Sequence, residues 1–208
     1  STTNLLANKH EYLKDLSAFF ALSARENSEC LPDISIREQI DSTIEFRNVS
    51  FAYPGTERLI LKNISFTLNK NKKYAFVGAN GAGKTTIIKL LTGLYRDYDG
   101  TILIGGRDIK TLEEGQMKAL FSIIYQDFAR YQISVLDNIC LGNSGNVDVE
   151  AVKSVIESMG LTELMAQLPD GLNTNLGRIY ENSLDISGGE WQRIAMARTL
   201  ISNAPIYI

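Results

Sequence analysis

The sequence predicts an α/β fold: an antiparallel β part, then a strand–loop–helix unit, then a helical insertion that returns to a strand. Three observations carry this. Two stretches alternate apolar and polar residues around a Pro-Gly turn. A glycine-rich loop stands between an apolar run and an amphipathic stretch. The residues that follow adopt helical spacing. With 208 residues, 44% hydrophobic and 22% charged, the chain has room for one sizeable core, or one domain and an arm.

"NLLANKHEYLKDLSAFFALSARE" places Leu5, Leu6, Tyr12, Leu13, Leu16, Phe19 and Phe20 on one helical face, capped by Thr3 or Asn4. Such a helix either packs on the domain behind it or arrives as a connector from another domain. "ECLPDISIREQIDS" is polar and contains Pro32, which reads as a linker. "TIEFRNVSFAY" and "LILKNISFTLN" alternate as strands, and Pro54 and Gly55 turn between them. "KKYAFVG" is a strand entering the glycine loop, and "KTTIIKLLTGLY" a helix leaving it. "DGTILIGGRDI" is a strand with turn glycines, "TLEEGQMKALF" a helix, and "SIIYQD" a short buried strand. Residues 127–186 form a mostly helical subdomain, clearest in "DVEAVKSVIESMG" and "LTELMAQL". Gly188 and Gly189 open a last helix, and "APIYI" begins a buried strand. The domain reading is an arm and linker over residues 1–40 and a nucleotide domain over residues 41–208, with its C-terminal part beyond Ile208.

Charge and cysteines narrow the partners. A net charge of −3 opposes non-specific nucleic-acid binding, which needs a basic face. Cys30 and Cys140 are far apart and suggest neither metal nor disulfide framework, so both read as inert thiols. No apolar run reaches the roughly 20 residues needed to span a bilayer, and the first residues lack the pattern of a signal peptide.

"GANGAGKT", residues 78–85, fits G-x-x-x-x-G-K-[ST] in full, between a strand and a helix. Backbone amides of Gly81, Ala82, Gly83 and Lys84 can converge on phosphate oxygens only where side chains stay out of the way. The helix that starts near Lys84 adds its positive end. Lys84 would reach the β- and γ-phosphates and Thr85 would offer its hydroxyl to Mg²⁺. With Gly78, Asn80 and Thr86 these residues form the predicted nucleotide cradle. The fold class is therefore a P-loop NTPase (RecA-like) core with an antiparallel β-subdomain and an α-helical insertion. The loop alone does not choose among kinases, GTPases, helicases and transport ATPases.

Downstream, "DISGGEWQRIAMARTL" puts Ser187, Gly188 and Gly189 before a helix. Ser187 with Glu190 fits a capping box, and the same donors fit an anion site. The stretch resembles the L-S-G-G-Q signature of the ATP-binding cassette (ABC) family, with Ile186 for the leucine and Glu190 for the glutamine. "FAYPG" resembles that family's A-loop, which implies that Tyr53 stacks on adenine; a turn aromatic packed on its own hairpin is the alternative. "IIYQDF" resembles the Q-loop, which implies Gln126 at Mg²⁺ or the attacking water and on the path to the membrane partner. "SVLDNICLG" resembles the segment that meets membrane coupling helices in exporters.

The resemblance covers roughly residues 44–208. "HEYLKDLSAFFALSARENSE" resembles the cytoplasmic extension of an exporter's last membrane helix. Together these imply the ATP-binding domain of an exporter, at the cytoplasmic face of the cell membrane. They imply ATP and Mg²⁺ as ligands, a transmembrane domain as partner, and a second cassette in a head-to-tail dimer that brings Ser187, Gly188 and Gly189 to the nucleotide on Lys84. A non-transport cassette and a binding-only regulatory cassette are the alternatives. "PIYI" resembles the start of the Walker B strand. That implies the metal-binding Asp, the water-polarising Glu and the switch His beyond Ile208, since the chain's one histidine is His10. The 208-residue length is thus expected to build a nucleotide half-site without hydrolytic turnover.

Overall fold

The computed structural model describes residues 13–17, 31–143, 147–179 and 183–208. The chain divides into two compact units, Ser1–Cys30 and Leu31–Ile208. In the first, residues 13–17 are helical and exposed; the rest of the expected arm helix, and Cys30, lie outside the described residues. Among the described residues, no helix is long and apolar enough to cross a membrane.

The second unit opens on α1 (Ile36–Gln39), within the stretch read as a linker. Ile36 is buried in the first core cluster. Arg37 donates to the carbonyls of Ala119, Ser202 and Asn203, where two later helices end. A guanidinium there meets the negative ends of two helix dipoles. These contacts lie within the compact unit that begins at Leu31.

β1 (Ile44–Ala52) and β2 (Leu59–Leu68) form the expected antiparallel hairpin, and β3 (Asp99–Ile104) and β4 (Arg107–Asp108) complete a sheet of order β2-β1-β3-β4. Two asparagines at positive φ, Asn48 and Asn63, break the β1–β2 register. The breaks are reciprocal: the Asn48 amide donates to the Ser65 hydroxyl and the Asn63 amide to the Ser50 hydroxyl, each at 2.8 Å. The Asn-x-Ser triplets of the two strands thus cap each other's bulges. Gly100 lies against the first bulge at φ +84°, where an added Cβ would strike the Arg47 and Asn48 carbonyls. Gly100→Ala is accordingly expected to destabilise the fold by about 2–4 kcal/mol. Urea unfolding would check it, and a loss below about 0.5 kcal/mol would show that the bulge yields freely.

α2 (Lys84–Leu91) leaves the glycine loop and ends at Gly93, at φ +73°. α3 (Glu114–Leu120) starts in a capping box formed by Glu113 and Gln116. β5 (Phe121–Ser122) pairs in parallel with β6 (Ile206–Tyr207), and the Ile124 amide donates onward to the Ile208 carbonyl. The strand expected over "SIIYQD" is therefore short, but its parallel partner is the expected last one.

α4 (Val135–Cys140), α5 (Val149–Ser158) and α6 (Thr162–Gln167) build the helical part. They share a second core cluster with α7 (Gly188–Ile201) through Val135, Ile139, Trp191 and Ile194. Arg198 of α7 ties it to α4, donating to the Asn138 carbonyl and side chain, while Asn138, fully buried, donates to the carbonyls of Tyr131, Ile133 and Ser134. Cys140 is a free thiol pushed up by burial and then by Asp137, as an inert cysteine should be.

One expected strand is absent. Residues 72–78 adopt no regular structure and pair with no strand among the described residues. Phe76 meets Phe66 edge-on, and Val77 is 90% exposed. The apolar pattern is strand-like, but a strand is defined by its neighbours, and neither edge here has one.

Candidate functional site: a phosphate loop and its aromatic neighbour

Residues 78–82 form an exposed loop, closed by a turn from the Ala82 amide to the Ala79 carbonyl at 3.2 Å. Gly83 then caps α2 from the left-handed region, at φ +90°. Its missing side chain is required twice, because a Cβ would also lie 2.8 Å from Leu61 Cδ2 of β2. This close approach seats the helix on the hairpin, and the first amides of a helix are left without intrahelical partners.

Lys84 folds back over the loop. Its Nζ donates to the Gly78 carbonyl at 2.8 Å and to the Ala79 carbonyl at 2.9 Å. The ammonium therefore stands over the concavity with two of its three donors on backbone oxygens that an anion's oxygens could replace. Thr85 is exposed beside it, whereas Thr86 is buried, 4% exposed. Thr86 Oγ1 lies 3.0 Å from the Tyr53 hydroxyl.

Tyr53 follows β1 and is half-buried. Its ring stands edge-on to Phe51 and Tyr95, with Lys89 Nζ 5.3 Å from its centroid. It does pack beside its own hairpin, on Phe51, and it also borders the phosphate loop through Thr86.

The remaining expected residues stand elsewhere. Gln126 is exposed in a turn just beyond the β5–β6 pair. Ser187 caps α7: its hydroxyl accepts from the Glu190 amide at 3.3 Å, and the Glu190 carboxylate accepts from the Ser187 amide at 2.7 Å. Those contacts, the Ser187 hydroxyl first, hold the Glu190 carboxyl below its ordinary range. Among the described residues, no hydrogen bond joins Gln126 or residues 187–189 to the loop of residues 78–86. Gly188 and Gly189 are exposed, keep ordinary φ, and would have nothing within 4 Å of an added Cβ. Neither conformation nor packing within the chain asks for glycine there, although each costs about 1 kcal/mol of helix propensity relative to alanine.

Arg37 and the Tyr53–Thr86 pair carry no signal in the sequence. Nothing in a polar linker marks Arg37, and a hydroxyl one residue past the motif reads as a phosphate contact.

The sheet, the glycine loop and the helix it feeds define the P-loop NTPase fold. The chain belongs to the ABC transporter family, whose model matches residues 61–208. The subtilin transport ATP-binding protein SpaT of Bacillus subtilis is 34% identical over 202 residues, which are 97% of this chain and 32% of that protein. The iron–sulfur clusters transporter ATM1 of Saccharomyces cerevisiae, a mitochondrial protein, is 36% identical over 211 residues, 98% of this chain and 30% of that one. A solved structure of a bacterial Atm1-family ABC exporter with ATP bound is similar at a TM-score of 0.69 and 36% identity, covering 79% of this chain and 28% of the other. The chain thus spans less than a third of the length of these relatives.

Proposed function

We propose that this chain is the ATP-binding cassette of an ABC exporter, working at the cytoplasmic face of a membrane and coupling ATP binding and hydrolysis to transport. The observation that carries the reading is the open loop of residues 78–83, with Lys84 over it and the N-terminus of α2 behind it. The relatives support the exporter assignment, among them one whose structure holds ATP.

ATP would lie with its phosphates on the amides of Gly78, Asn80, Gly81, Ala82, Gly83 and Lys84, and with adenine against Tyr53. Mg²⁺ prefers oxygen ligands and keeps several waters. The exposed Thr85 hydroxyl and the amide oxygen of the exposed Gln126 are donors of that kind, and the phosphates would supply others. Mg²⁺ bound there would neutralise phosphate charge. Gln126 is the candidate to orient the attacking water. The transmembrane domain is the partner through which transport would be driven.

A second cassette would complete the site. Gly188 and Gly189, bare without internal cause, fit a surface that something outside the chain approaches closely. In a head-to-tail dimer Ser187, Gly188 and Gly189 of each cassette would close over the nucleotide on the other's Lys84, a self-complementary two-fold contact.

Filter binding with the full-length protein in lipid vesicles tests the core of this. ATP should be retained, chelation of Mg²⁺ should weaken retention, and excess AMP should compete poorly. Absence of retention at millimolar ATP would end the reading.

A further inference from the structure

We infer that the Tyr53 hydroxyl and Thr86 form a link that positions the aromatic platform on the phosphate-loop helix, so that Thr86 serves the base side of the site through Tyr53. This rests on the ATP-binding reading above. The two hydroxyl oxygens are 3.0 Å apart. Thr86 is 4% exposed and lies in the first turn of α2, two residues after Lys84. Its hydroxyl meets Tyr53, which follows β1, whereas Thr85 beside it is exposed.

The need for such a link follows from how Tyr53 is held. Its aromatic contacts are both edge-on, at 5.1 Å to Phe51 and 5.4 Å to Tyr95, and they leave rotation about the ring axis weakly restrained. The residues just after it, 54–59, are exposed and bring no packing. Among the described residues the hydroxyl makes the ring's one directional hydrogen bond, and its partner is a threonine, whose β-branched side chain is stiff in a helix. Lys89, one turn further along α2, sits over the ring at 5.3 Å. The platform is therefore referenced to α2, the element that also carries Lys84. A ligand with both a base and phosphates would feel that fixed geometry, and a ligand with phosphates alone would not.

The experiment compares Tyr53→Phe, Thr86→Val, Thr86→Ser and the double variant Tyr53→Phe/Thr86→Val in the full-length protein, with Mg²⁺. Binding of ATP and of inorganic triphosphate is titrated for each. Tyr53→Phe and Thr86→Val should each weaken ATP about 3- to 10-fold, the scale of one net hydrogen bond, and leave triphosphate within about twofold. The double variant should be no weaker than the weaker single, and Thr86→Ser should restore ATP binding. Unchanged ATP affinity in both singles, equal losses for ATP and triphosphate, or additive losses in the double would overturn the link while leaving ATP binding by the wild type intact. Wild-type protein that binds neither ligand would overturn the binding reading and the link with it.

Discussion

Lys84→Ala should weaken ATP binding about 10- to 100-fold, because a charge-assisted contact to phosphate contributes roughly 1.5–3 kcal/mol. AMP, which lacks the β- and γ-phosphates, should lose little. The structure adds a second consequence. Lys84 also bonds the carbonyls of Gly78 and Ala79, so alanine removes both the charge and the pin that shapes the unliganded loop. Part of the loss would then come from a looser loop, and it should appear as a slower on-rate as well as a faster off-rate. Calorimetric titration of wild type and variant, with circular dichroism to confirm the fold, measures the first effect. Superimposable ATP curves would remove the phosphate-loop assignment altogether.

Ser187→Arg should abolish ATP turnover in the full-length protein, by about 100-fold or more, while ATP affinity stays within about twofold. Ser187 would have two separate jobs. Within its own chain Ser187 caps α7, and losing a cap costs about 1 kcal/mol of stability. Across the proposed dimer it would face the partner's nucleotide, where an arginine is too large and wrongly placed. Ser187→Asp divides these jobs, since aspartate caps as well as serine but brings a negative charge toward phosphate. Turnover should fail in both variants although only arginine loses the cap. Normal turnover with Ser187→Asp would reduce Ser187 to a cap, and loss of ATP binding in step with turnover would contradict the two-chain site.

Local chemistry explains what could be read in advance. The hairpin of residues 44–68 is written in alternation and in Pro54-Gly55, and the loop before α2 in glycines that serve both φ and contact, as Gly83 does. The capping box at Ser187 was legible as well, and both of its hydrogen bonds are present. What stayed hidden depends on distant partners. Arg37 matters because two helices separated by about eighty residues of sequence end beside it, and no local pattern announces that. Thr86 turns to Tyr53 because β1 ends over α2, a matter of packing alone. Residues 72–78 have the composition of a strand and the isolation of a loop, since pairing is a property of the sheet and not of the segment.

That same segment bears on how the polypeptide behaves in a tube. Tyr74, Phe76 and Val77 stand exposed in a segment that pairs with no strand among the described residues, and an exposed, unpaired apolar segment invites strand addition from any neighbour. For a preparation of these 208 residues, shelf life and working concentration would then be governed by the short apolar segment beside the nucleotide loop.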